Sequence, residues 1–140
     1  MSLKVFSYFC TKKKDIFMEN KRPLVLISND DGYHANGIKT LVSFLKDWCE
    51  LLVVAPESAR SGFACAFSAT APLRLKRRHN MGDVEVWSCS GTPVDCVKIA
   101  LDQLLAGRKP DLILGGINMV TIPVSITITQ VPWVWLRRDV

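Results

Sequence analysis

Three stretches of the chain are apolar almost without interruption: Pro23 to Asn29 (PLVLISN), Glu50 to Pro56 (ELLVVAP) and Pro110 to Gly116 (PDLILGG). A strand covered on both faces reads this way, because both sets of alternating side chains meet core. Between the first two, Ile38, Leu41, Val42 and Leu45 recur at helical spacing and predict a helix over Gly37 to Trp48. After the second comes a polar, small-residue loop, Glu57 to Thr70, and then an expected antiparallel pair at Leu73 to Arg77 and Val84 to Ser88. A second helix carries the apolar stripe Val94, Val97, Leu101, Leu104 and Leu105 and stops at Gly107. Strand, helix, strand, excursion, helix, strand is the order of an α/β fold, an open and mostly parallel sheet with right-handed crossovers and flanking helices. In such sheets ligands bind beyond the carboxyl ends of the strands.

Each apolar strand delivers polar residues to that edge. The first gives SNDDG (Ser28 to Gly32), the second leads into APESARSG (Ala55 to Gly62), and the third ends in GGIN (Gly115 to Asn118). Asp30 and Asp31 are adjacent carboxylates, which face one centre only if the backbone turns between them, and Gly32 makes that turn easy. Two close carboxylates repel unless a proton or cation lies between them, and hard oxygen donors suit magnesium or manganese better than zinc. The plainer reading is an Asp pair serving as turn former and helix cap. Ser61 and Asn118 shift the balance toward a metal, since neutral oxygens would complete a site that keeps water positions open. A metal there would lower the pKa of bound water and neutralise phosphoryl oxygens, with Asp30 orienting or deprotonating that water. His34 either touches substrate or is a loop histidine with a local contact. Thr92, in SGTPVDC (Ser90 to Cys96), caps a helix start, with Asp95 stabilising the first turn; the same helix start can attract an anion.

Composition narrows the partners. At 140 residues and 49% hydrophobic, the chain can bury one core. No apolar run reaches the roughly 18 to 20 residues that span a bilayer. The order at the start, a short apolar piece before Lys12 to Lys14, is the reverse of a secretory signal, so a cytoplasmic protein is expected. Five cysteines without a CxxC pair read as reduced, packing thiols. The net charge of +5 includes two basic clusters, Lys12 to Lys14 with Lys21 and Arg22, and Arg74 with Lys76, Arg77 and Arg78, neither interleaved with aromatics as a stacking surface would require. Both read as solvated faces rather than a nucleic-acid surface. A positive field of this size favours small anionic substrates.

The stretches LVLISNDDGYHANGI, VVAPESARSG, GTPVDCV and PDLILGGIN, in this order from Leu24 to Asn118, resemble the SurE survival-protein family of metal-dependent 5'/3'-nucleotidases. The resemblance implies a Rossmann-like fold for residues 21–118 and hydrolysis of nucleoside monophosphates, with polyphosphate as a further substrate. It also implies one divalent ion, Mg or Mn, per subunit and a homodimer or homotetramer. Carried over, the family's metal ligands fall on Asp30, Asp31, Ser61 and Asn118, with Asp30 and Asp31 also carrying the catalysis. Asn29, His34, Gly62 and Thr92 are the expected substrate contacts. A signalling receiver domain also places paired acids after its first strand. It needs a phosphoacceptor Asp at the end of a central strand, and VEVWSCSG (Val84 to Gly91) offers none. A non-functional fragment that retains only metal or nucleotide binding is a third reading.

Asn36 and Gly115 depart from the family's usual Pro and Ser, and the loop after Ser61 departs at Ala64 and Ser68. The larger departure begins at Met119. The family continues as x-Gly-x-Asn-x-Gly and later Tyr-Ser-Gly-Thr-Val-Gly, whereas here the chain reads MVTIPVSITITQVPWVW. The last base of the Met119 codon and the first two of Val120 spell GGT, a forced glycine; Trp133 and Val134 force a second in the same shifted frame. Both fall on family glycines. One base missing within codon 119 would put Val120 to Val140 out of frame, leaving a β-branched, Trp-containing tail that is an aggregation hazard if no sheet accepts it. Residues 1–20, with no clear period and Met18 near their end, are expected to be a leader outside the fold.

Overall fold

The computed structural model describes residues 22–59, 72–78 and 81–118, together with the backbone of 127–129. The leader over 1–20, Ser61, Gly62 and residues 119–126 and 130–140 of the tail lie outside the described residues. Six strands form one sheet: β1 (Leu24–Ser28), β2 (Glu50–Pro56), β3 (Leu75–Arg78), β4 (Glu85–Cys89), β5 (Leu112–Gly115) and β6 (Thr127–Thr129). Their order across the sheet is β3-β4-β2-β1-β5-β6. The four inner strands run parallel, and the antiparallel β3 and β6 close the two edges. The α/β reading holds.

Alternation along β1 explains why that strand is apolar throughout. Val25 and Ile27 face one layer with Ile38, Leu41, Val42 and Leu45 of α1 (Asn36–Leu45). Leu24 and Leu26 face the opposite layer with Cys96 and Ala100 of the second helical segment. Successive side chains point to opposite faces, and here both faces are covered. The four apolar positions expected of α1 are all buried. The helix stops at Leu45, however, three residues before the expected Trp48, which stands 57% exposed in the turn that follows.

The second helix begins at α2 (Pro93–Ile99) and continues as a π-helical segment, Ala100–Leu104. Its widened turn shows in the bond from Leu105 N–H to the Ala100 carbonyl five residues back, 2.9 Å. The inserted residue rotates the face that meets the sheet. Cys96, Ala100 and Leu105 are therefore the deeply buried positions, while Val97, Leu101 and Leu104 pack at the margin and Val94 is half-buried. Of the expected stripe, Leu105 is in the core, Val97, Leu101 and Leu104 pack against it, and the deeper Cys96 and Ala100 were not anticipated.

In the tail, the backbone of Thr127–Thr129 pairs antiparallel with β5, Gly115 opposite Thr127. The outer edge of β5 offers unpaired peptide groups, and a Thr-Ile-Thr run suits an extended backbone. A short strand thus stands where the sequence promised no new element.

Candidate functional site

The carboxyl edge is built by locking β1 against β5 at both ends. At the amino end the Leu24 N–H donates to Asp111 Oδ2 (2.9 Å) and the Asp111 N–H to the Leu24 carbonyl (2.8 Å). At the other end Ser28 lies opposite Gly115, and the Gly116 N–H donates to the Ser28 carbonyl at 2.9 Å. The loops carrying Asn29 to Gly32 and Gly116 to Asn118 therefore leave neighbouring strands side by side. Because α1 and α2 cover opposite faces of the sheet, β1 is the strand where winding switches direction, the place where an open α/β sheet forms its crevice.

The turn after β1 is fixed by short polar contacts. The Gly32 N–H donates to Asn29 Oδ1 (3.1 Å), the Ala35 N–H to the Gly32 carbonyl (3.1 Å) and the Tyr33 N–H to the Pro56 carbonyl of β2 (3.0 Å). Gly32 takes φ +102°, a backbone conformation that side chains rarely adopt. That is how two consecutive aspartates leave the strand direction at this edge.

Two oxygens there are buried without a hydrogen-bond partner: Asp30 Oδ1 and Asn118 Oδ1. Two neighbouring groups share the condition, Asn29 Nδ2 and Ser28 Oγ. Native proteins rarely leave buried polar atoms unpaired, since each forfeits on the order of 1–3 kcal/mol of solvation. Orphaned oxygens from a carboxylate and an amide are the donor set a hard divalent cation takes. Asp31 is half-buried in the same turn. Among the described residues no group of three or more His, Cys, Asp or Glu could hold a metal, so a cation here would rest on mixed carboxylate and neutral oxygens. Asp30, Asp31, Asn29 and Asn118 are brought to one edge as expected.

Thr92 and His34 make local contacts in the described structure. The Thr92 N–H and hydroxyl both donate to Asp95 Oδ2 (2.9 Å each), and the Asp95 N–H donates back to Thr92 Oγ1 (3.3 Å). This is a complete capping box, buried at both residues, which supports the cap and leaves the hydroxyl occupied. His34 is exposed on the turn, its ring edge-on to Tyr33 at 5.2 Å.

Arg78 belongs to a contact the sequence did not announce. Read as part of a solvated basic face, it is in fact half-buried. Its Nε donates to the buried Ser88 Oγ (2.9 Å), its Nη2 lies 3.7 Å from Glu57, and its guanidinium sits 5.0 Å from the Tyr33 ring centroid. Arg78 thus ties the turn after β1 to β3, β4 and the residue after β2. The expected strand ended at Arg77, whereas β3 extends to Arg78, opposite Val86 and within reach of Ser88.

The described cysteines, Cys49, Cys89 and Cys96, are free and buried. Burial pushes the Cys49 thiol up to about 11. Cys96 donates to Cys89, which holds Cys89 below the usual thiol range and pushes Cys96 above it. The Gly91 N–H adds a donor to Cys89 Sγ at 3.4 Å. No helix among the described residues is long and apolar enough to cross a membrane.

Fold and edge together define an α/β domain with an oxygen-donor site at the switch point of its parallel sheet. The model of the family "Survival protein SurE" matches residues 25–121, and the chain belongs to that family. It is 50% identical over 101 residues to the 5'-nucleotidase SurE of Bacteroides fragilis, covering 72% of this chain and 39% of that protein. Its identity to the 5'-nucleotidase SurE of Prochlorococcus marinus is 47% over 97 residues, covering 67% and 36%. The crystal structure of the SurE protein from Aquifex aeolicus superposes with a TM-score of 0.59 at 40% identity, covering 69% of this chain and 38% of that one. The chain spans about two-fifths of the length of the curated relatives it matches.

Proposed function

We propose that this domain is the metal-binding part of a divalent-cation-dependent phosphatase that hydrolyses nucleoside 5'- or 3'-monophosphates to nucleoside and phosphate. The observation that carries the reading is the pair of buried, unpartnered oxygens, Asp30 Oδ1 and Asn118 Oδ1, on neighbouring strand exits. Membership of a family whose curated relatives are named 5'-nucleotidase supports it.

Asp30, Asp31 and Asn118 would hold magnesium or manganese with Ser61 as fourth ligand, one ion per subunit. Such an ion would supply Lewis-acid neutralisation of phosphoryl oxygens and would lower the pKa of a bound water below that of bulk water. This chain's own contribution is positional. The Gly32 turn and the bond from Tyr33 N–H to the Pro56 carbonyl keep both carboxylates at the edge, where Asp30 can take the proton from an attacking water.

The test has two parts. Mn(II) binding is followed by electron paramagnetic resonance, and phosphate release from nucleoside monophosphates is measured with magnesium or manganese. Saturable Mn(II) binding with metal-dependent release is expected from a chain of the relatives' full length. A chain that binds no divalent ion would remove this reading.

A further inference from the structure

The Asn29 side chain is 2% exposed, and its two ends meet different fates. Oδ1 accepts the Gly32 N–H at 3.1 Å, which fixes the orientation of the amide, because a flipped amide would set N–H against N–H. Nδ2, with two hydrogens to give, therefore faces away from the turn and finds no acceptor. The next residue, Asp30, holds an unpartnered Oδ1, and the adjacent strand exit holds that of Asn118. The edge thus contains acceptors that want a cation beside a buried donor that wants an anion. A cation alone would satisfy the oxygens and leave Nδ2 unpaired. A phosphoryl group bound to that cation satisfies both.

We propose that Asn29 Nδ2 is a catalytic hydrogen-bond donor to a non-bridging phosphoryl oxygen. The inference rests on the phosphatase reading above and names the chain atom that grips the reacting group. No bond at Asn29 forms or breaks. The amide holds the phosphoryl oxygen while water adds to phosphorus and the ester oxygen leaves, and a neutral donor does this without competing for the cation. Its hydrogen bond strengthens as charge gathers on that oxygen.

Orthophosphate is the probe, titrated calorimetrically into the whole chain with and without Mn(II). Asn29→Asp keeps the acceptor for the Gly32 N–H but removes the donor; Asn29→Ala removes the donor without adding charge. Thermal unfolding monitors the fold of each. Both variants should bind orthophosphate about 10- to 100-fold more weakly, the loss expected for one hydrogen bond to a charged group. In the unsubstituted chain the Asn29 side-chain amide protons should move downfield in NMR as orthophosphate is added. Unchanged phosphate affinity in Asn29→Ala, static amide protons, or no phosphate binding by the parent chain would each overturn the proposal. Absence of Mn(II) binding sinks the metal reading instead, and the phosphate comparison without Mn(II) still decides the role of Asn29.

Discussion

The Ile117 carbonyl occupies the space a Cβ on Gly37 would need. The first turn of α1 thus lies directly against the backbone that presents Asn118, and only glycine permits that approach. Gly37→Ala must push the helix from the β5 exit. Overpacking of this kind costs about 1–3 kcal/mol, so the midpoint of urea unfolding should fall. Mn(II) affinity should fall with it, as Asn118 is displaced; unchanged affinity would mean that the exit moves freely of α1.

Asp31→Ala and Asn118→Ala should each weaken Mn(II) binding at least tenfold. Removing the Asn118 side chain also removes a buried, unpaired oxygen, so without metal that variant should unfold no more easily than the parent. A metal-independent loss of stability in Asn118→Ala would show that its amide is structural.

Asp95→Ala should behave in the opposite way. It breaks the capping box and leaves the Thr92 N–H and hydroxyl without their buried acceptor. A loss of about 1–3 kcal/mol in urea unfolding is expected. Orthophosphate affinity should stay within twofold, and a larger change would return Thr92 to the ligand site.

The thiols set a pH dependence with two signs. Cys49, pushed up to about 11 from the usual 9.0, stabilises the fold below 9.0, and that contribution is lost as pH rises toward 11. Cys89 is lowered, so its contribution is present above 9.0 and lost as pH falls through its depressed value. Thiolate absorbance should therefore rise first from Cys89. Cys96→Ala, which removes the donor, should move that rise to higher pH; an unmoved midpoint would deny the pairing.

The shifted reading frame makes a separate forecast. Inserting one base in codon 119 should give a chain that releases phosphate from nucleoside monophosphates at least tenfold faster than the present one. Equal rates would show that the glycine-rich run encoded in that frame is dispensable.

Much of the fold was legible because its inner strands are covered on both faces. Leu24 to Ile27 had no polar position to confuse the period, and the SNDDG and GGIN turns named their own edge. What stayed hidden depends on register or on geometry finer than period. The π-helical segment at Ala100 to Leu104 rotates a face without changing composition. Arg78 looked like its solvated neighbours until β3 was set against β4, placing it near Ser88 and Tyr33. Asn29 was an expected substrate contact, but only its burial and one fixed hydrogen bond exposed which of its atoms is idle.

The pairing of β1 with β5 also has a kinetic meaning. Val25 pairs with Leu112 across an intervening chain that includes β2, β4 and both helices. Closing so long a loop is entropically late, because non-local pairings reward the chain only once the loop entropy has been lost. Asp30 and Asn118 leave these two strands, so neither can share a cation until the strands have paired. Metal capture would then report the completion of folding, and a nascent chain would gain its site only after β5 had been made.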